Sequence, residues 1–232
     1  MNIKILDNSI FMLRAYQALR NDKKLLISRC FALIMIAGSF VINFYAGTYA
    51  DKSESNSVTD IILSNIPVYQ VDDLFTYGIR AFALFMIMWS IRYPRQMPYI
   101  IKSIALFIII RALFVSLTHI GPFPIRSSIE DTDFISKMNF WADLFFSGHT
   151  WLPFLLWLIF WQHRWYFLRY VFIIASVMFG VIVLLGHLHY SIDVLAAFFI
   201  TYAINDINKL IFVHDKRVFD LDVLKEEEIL KK

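Results

Sequence analysis

The chain has 232 residues, of which 59% are hydrophobic and 18% charged, with a mean hydropathy of +0.59. A water-soluble domain of that size has too little interior to hide so much apolar surface, so the composition excludes a soluble globular protein and points to a bilayer. The net charge of +3 comes from basic residues placed beside apolar runs, where membrane orientation rather than nucleic acid accounts for them.

The chain opens on a cytosolic N-terminal segment, 1–24, with Lys4, Arg14, Arg20, Lys23 and Lys24 against Asp7 and Asp22. No compact apolar core followed by a small-residue cleavage site marks a cleavable signal. Residues 10–19 are mildly amphipathic and fit either a helix on the membrane surface or a solvated tail. Six apolar runs follow, near the ~20 residues a helix needs to cross a bilayer. They cover 27–46, 74–91, 99–118, 146–161, 165–185 and 191–211. The fold expected is therefore all-α, an integral membrane bundle of six transmembrane helices over 25–213, followed by a charged cytosolic tail, 214–232. Cys30 is the single cysteine, which excludes an intramolecular disulfide and a Cys-based metal site.

Short loops set the orientation through Lys and Arg. The loop after the second run holds Arg92, Arg95 and Lys102, and that after the fourth holds Arg164 and Arg169, neither with an acid. The alternate loops are acidic, with Asp51, Glu54, Asp60, Asp72 and Asp73 in one and Glu130, Asp131, Asp133 and Asp143 in the other. Both termini are thus expected in the cytoplasm, and the acidic loops on the exoplasmic face.

That topology gathers polar residues which look misplaced in apolar runs. Ser147-Gly148-His149-Thr150 opens the fourth run, His187 and His189 close the fifth, Asp193 starts the sixth, and Thr118-His119 ends the third. Four of the six histidines would then lie at one membrane face, and ionisable groups at membrane depth are costly and usually functional. In SGHT, Ser147 is a good N-cap and Gly148 admits close backbone approach, so the first-turn amides form an anion cradle beside His149. Simple helix capping is the alternative. In HYSID, His189 and Asp193 are four apart, and a carboxylate on one imidazole nitrogen makes the other more nucleophilic. An ordinary hydrogen-bonded pair at a helix start is the alternative, and zinc on His149, His187, His189 and Asp193 is a third reading, ranked below both. No metal or other cofactor is expected. Arg111, about two turns below Thr118, is the expected phosphate cation, with Arg80 second and able to snorkel instead. Lys102 is expected to snorkel to the cytoplasm.

D-x3-S-G-H-T at 143–150, H-Y-S-x-D-V at 189–194 and R-x6-T from Arg111 to Thr118, followed by GPFP at 121–124, resemble the motifs of the sphingomyelin synthase family. That family lies within the wider group of type 2 phosphatidic acid phosphatase-like lipid phosphatases and phosphotransferases. The resemblance covers about residues 60–205 and implies a six-span membrane enzyme with an exoplasmic active site. It implies His149, His189 and Asp193 as the catalytic triad. The activity implied is transfer of a phospho-headgroup, phosphocholine or phosphoethanolamine, from a phospholipid donor to a ceramide-like hydroxyl, releasing diacylglycerol. Arg111, Ser147, Gly148, Asp143, Thr118, Tyr190 and His187 are the expected substrate- and phosphate-binding residues. Tyr190 also reads as an aromatic-belt residue and His187 as one that tunes the site. The chain departs from the family at Trp141-Ala142, where the family has Cys-Gly, at Ile108, where it has Tyr, and in the stretch QMPYIIK, which lacks the family's paired arginines. Val183 stands where ordinary lipid phosphatases carry an arginine. A lipid phosphate phosphatase is the second reading, and a non-catalytic membrane protein that kept the fold the third. The partners expected are lipids and the bilayer, with no nucleic acid and a homo-oligomer left open.

Overall fold

The computed structural model describes residues 22–127 and 148–229, with Asp72, Phe75, Ile79, His149 and Ile229 described by their backbone alone. Seven helices run through these residues: α1 Lys23–Lys52, α2 Asp72–Arg92, α3 Met97–Leu117, α4 Gly148–Phe160, α5 Tyr166–Leu185, α6 Ser191–Ile211 and α7 Val213–Ile229.

α3 is the central post. Half of its apolar window is buried inside the bundle, against 17% for α1, which packs along α3 and turns large apolar residues such as Ile27, Leu33, Ile34 and Tyr45 outward. Both helices are apolar nearly all round, as a lipid-exposed helix must be. They run parallel: Lys102 of α3 meets Ser28 of α1 near their starts, and Tyr49 of α1 lies edge-on to His119 just past the end of α3. α4 packs against α5 and α6 and touches α3 through Trp151, whose ring stacks on Phe107 at 3.7 Å. A second aromatic cluster, built from Trp89, Tyr93, Phe160, Trp165 and Phe172, knits the other ends of α2, α4 and α5 together.

The expectation of six spans needs correction. Among the described residues four helices are long and apolar enough to cross a bilayer: α1, α3, α5 and α6. The described part of α4 has 13 residues, about 20 Å at 1.5 Å per residue, short of the roughly 30 Å of a hydrocarbon core. α2 opens on two aspartates and carries Arg80 mid-helix. The molecule is a multi-pass helical membrane protein.

The segment expected as a charged tail is also a helix. α7 folds back across the starts of α1 and α3, where Asp215 accepts from Lys102 at 2.6 Å and from Ser28. Lys102 is thus buried in an ion pair, not snorkelling. Further along α7, Asp220 accepts from Lys216 and lies 2.9 Å from His163 Nε2 in the α4–α5 turn, Gln96 donates to Asp222, and the Arg164 amide donates to Glu227. Burial pushes the Asp220 carboxyl up, but the hydrogen bonds from His163 and Lys216 outweigh it and hold the group below its ordinary range. Asp222 goes the other way: burial raises it, and the bond from Gln96 offsets only part.

Candidate active site

At the end of the bundle away from α7, the sequence Leu184-Leu185-Gly186-His187-Leu188 terminates α5 in a way that aims the following residues. His187 takes φ 53°, the left-handed conformation usually left to glycine, and is the one non-glycine residue with positive φ among those described. Leu188 N bonds back to Val183 O at 2.8 Å and His187 N to Leu184 O at 3.0 Å, the paired closure of a helix whose first residue past the cap is left-handed. A Cβ at Gly186 would sit 2.5 Å from a Val71 methyl, so any larger residue would push Val71 aside. The His187 ring is buried, with Nδ1 2.9 Å from the Ile125 carbonyl and Phe123 edge-on at 5.2 Å. Its role on these contacts is to end α5 and hold the 118–127 loop.

Four residues past His187, α6 begins. Asp193 Oδ2 accepts from the Tyr190 amide at 2.9 Å, satisfying one of the donors that a helix start exposes. The same Oδ2 is 4.0 Å from His189 Nδ1, within ion-pair reach but longer than a hydrogen bond. Because α6 starts at Ser191, His189 lies just before the helix, not within its first turn, and both His189 and Asp193 are buried.

Tyr190 is not in an aromatic belt. Its side chain is buried, its hydroxyl donates to Gly121 O at 2.8 Å, and the same oxygen accepts from Val58 N at 3.2 Å. It pins two loops over the start of α6. Gly121 lies so close to Ser55 that a Cβ would stand 2.3 Å from that carbonyl oxygen, so only glycine fits.

A contributor that sequence reasoning missed is Asp60. Its Oδ2 accepts from Ser191 N at 2.7 Å and Ser191 Oγ at 2.8 Å, and its Oδ1 accepts from Ile62 N and Leu63 N. It caps α6 from another loop. Burial pushes its carboxyl up, and the four hydrogen bonds from Ser191, Leu63 and Ile62 more than reverse this, leaving it below the ordinary range. The only signal was an acid in an acidic loop, 131 positions from its partner.

α4 reaches the same place. Thr150, in its first turn, accepts at its carbonyl from Ser176 of α5 at 2.8 Å. A Cβ added at Gly180 of α5 would stand 3.1 Å from Val194 of α6 and 3.7 Å from Thr150 Oγ1. The residue after His149 and the residue after Asp193 therefore meet across Gly180. The backbone of Gly148 and His149 forms the first residues of α4, and Pro153, which lacks an amide hydrogen, leaves the His149 carbonyl without its helical donor. Asp143 and Ser147 lie outside the described residues, as does the His149 side chain. Arg111 is 7% exposed. It stands one turn beyond Phe107 on the same face of α3, and Phe107 stacks on Trp151, two residues past His149, so Arg111 is level with the start of the oppositely directed α4. Thr118 is the C-cap of α3, and its hydroxyl donates to Phe114 O at 3.1 Å. That bond ties it to the end of α3. Arg80 lies 5.6 Å over the Tyr77 ring of its own helix. Among the described residues no group of three His, Cys, Asp or Glu side chains is arranged to hold a metal ion.

Chemically, the junction offers a helix N-terminus with anion-binding amides, an arginine at its level, and an imidazole beside a carboxylate that is itself fixed by a backbone amide. No curated protein and no solved structure matches the chain. Residues 142–209, a little under a third of the chain, match the family model described as PAP2 superfamily C-terminal. That segment runs from just before α4 to near the end of α6 and contains both His149 and the His189–Asp193 pair, so the likeness to the PAP2 superfamily falls on the part of the molecule where the candidate site is assembled.

Proposed function

We propose that this protein is a membrane lipid phosphotransferase that moves a phospho-headgroup from a glycerophospholipid to the hydroxyl of a ceramide-like lipid, releasing diacylglycerol. The observation that supports the reading is that Thr150 at the start of α4 and Val194 at the start of α6 both lie against Gly180. The donor phosphate sits at the N-terminus of α4, its charge met by the amides near Gly148 and by Arg111. His189 attacks phosphorus through the nitrogen turned away from Asp193. The P–O bond to the diacylglycerol oxygen breaks as His149 protonates that oxygen. The acceptor hydroxyl then gives its proton back to His149, its oxygen attacks the phosphohistidine, and His189 leaves unchanged. Asp193, held by the Tyr190 amide, orients His189. The active site faces the exoplasmic side, following the basic loops at the α7 end.

A lipid phosphate phosphatase is the second reading, favoured by the match to a superfamily segment rather than to a narrower family; water would replace the alcohol in the last step. Purified protein in proteoliposomes, supplied with a panel of phospholipids with and without a fluorescent ceramide, separates the two. Labelled ceramide product that requires a phospholipid donor is the expected result. Release of inorganic phosphate from a lipid phosphate, independent of any alcohol, would transfer the assignment to the phosphatase, and neither activity at any substrate would remove both.

A further inference from the structure

Below the candidate site lies a groove of about 660 Å³, bounded by α1, α2, α3, α4 and α5, in which Ser90 is the one polar side chain. Its upper end is formed by Leu152 and Pro153, three and four residues past His149 and hence on one face with it, and by Phe179, the residue before the Gly180 junction. At its lower end Ile91 and Met97, on either side of the α2–α3 turn, line it. From Phe82 to Ile91 the α2 wall is about 13 Å long at 1.5 Å per residue. Three of the five walls are helices long and apolar enough to cross a bilayer, so the groove lies at the depth of the hydrocarbon core. A space of this size sits within the usual range of ligand cavities, roughly 300–1,000 Å³. An apolar wall with one hydroxyl falls short of the roughly two to four polar partners an ordered water needs.

The geometry points to this groove as the seat of one acyl chain of the donor phospholipid, with Ile91 and Met97 acting as the stop that sets the preferred chain length. The inference rests on the proposed phosphotransfer at the α4–α6 junction and deepens it. Continuity selects the occupant: a lipid whose phosphate is held at the α4 N-terminus has its chains directed toward Leu152 and Pro153, and the groove begins there. The buried Met97 side chain at the lower end would make the fit sensitive to length, whereas a lipid held on an open outer face would meet no stop.

The test uses the full-length protein in proteoliposomes with a phosphatidylcholine carrying a diazirine at the end of one acyl chain. Photolysis followed by peptide mass spectrometry should place label at Ile91, Met97 and their neighbours. Ala83→Trp, on the groove wall and exposed to the bilayer, should fold normally and reduce that label at least several-fold. Met97→Ala, which deepens the floor, should shift the donor preference toward longer chains, measured as relative kcat/KM across a chain-length series. Label confined to the outward faces of α1 and α2 and unchanged in Ala83→Trp, or a chain-length profile that Met97→Ala leaves unmoved, would overturn the inference. Labelling needs no turnover, so groove label without any headgroup transfer would defeat the proposed function alone, and transfer without groove label would defeat the chain seat alone.

Discussion

At one end of the bundle His163 meets Asp220 at 2.9 Å; at the other, His189 stands 4.0 Å from Asp193. The first pair joins separate elements. His163 lies in the α4–α5 turn and Asp220 on α7, and Asp220 also accepts from Lys216, so its charge is met twice. The second pair lies within five residues at the start of one helix, and its carboxylate oxygen serves a backbone amide. The difference teaches that a histidine beside an aspartate is not in itself a reaction site. The α7 pair fastens a helix, with every partner belonging to the clasp. The α6 pair stands where two helix starts converge, with backbone donors and an arginine at the same level, and that convergence is what a phosphate needs.

The contrast can be broken most sharply by exchanging the histidines for alanine. His189→Ala should lower lipid turnover at least about 10³-fold, because both a nucleophile and its orienting pair are lost. His163→Ala should leave turnover per folded molecule within a few-fold and instead lower the thermal unfolding midpoint. Loss of turnover on His163→Ala, in protein that still unfolds at the native midpoint, would erase the distinction between the two pairs.

Arg111→Ala should cost about 10²–10³-fold in kcat, the range for removing one preorganised donor to a developing charge, and Arg111→Lys should recover little because a point charge does not reproduce the planar fork. Arg80→Ala should change kcat by less than about tenfold. Equal losses at the two positions would leave the phosphate without its assigned cation.

At the α7 end, Lys102→Met would leave Asp215 buried with only Ser28 as donor. Breaking a buried ion pair from one side costs about 3–5 kcal/mol, read in a detergent-solubilised unfolding curve. Lys102→Met with Asp215→Leu should recover most of that loss; failure to recover would mean the clasp does more than hold α7.

The smallest effect concerns Asp60. Its folded carboxyl titrates below the ordinary range, so its contribution is fully present above the unfolded value near pH 4 and is lost as pH falls through the lower folded value. Asp60→Asn should cost about 1.5–3 kcal/mol at neutral pH, the worth of hydrogen bonds to a charged group. It should also flatten the acid limb of the stability-against-pH curve below about pH 4. An unchanged acid limb would show that Asp60 is not the group that caps α6.

Much of the scaffold was legible in the chain. The apolar run 191–211 coincides with α6, 165–185 and 99–118 differ from α5 and α3 by one or two residues, and the two histidine motifs fall at helix starts. α1 runs past the apolar stretch 27–46 at both ends, because Lys23, Lys24, Asp51 and Lys52 continue the helix where hydropathy alone sees a boundary. What hydropathy could not convey was partnership. Lys102 reads as a snorkelling charge and Asp215 as part of a charged tail until α7 folds back across 113 positions to join them. Asp60 and Ser191 are similarly remote, and His187 gives no sign of its left-handed backbone, since its neighbour Gly186 is the residue expected there.

The measurement that bears most directly on the proposed reaction is the position of the covalent intermediate. Protein turning over a phospholipid with labelled phosphate is quenched in base, where a phosphohistidine survives better than an acyl phosphate, and the label is located by mass spectrometry. Label on His189, absent in His189→Ala and retained on an activated donor in His149→Ala, is the expected result. Label on His149 with none on His189, or no label under conditions that trap a known phosphohistidine enzyme, would contradict it.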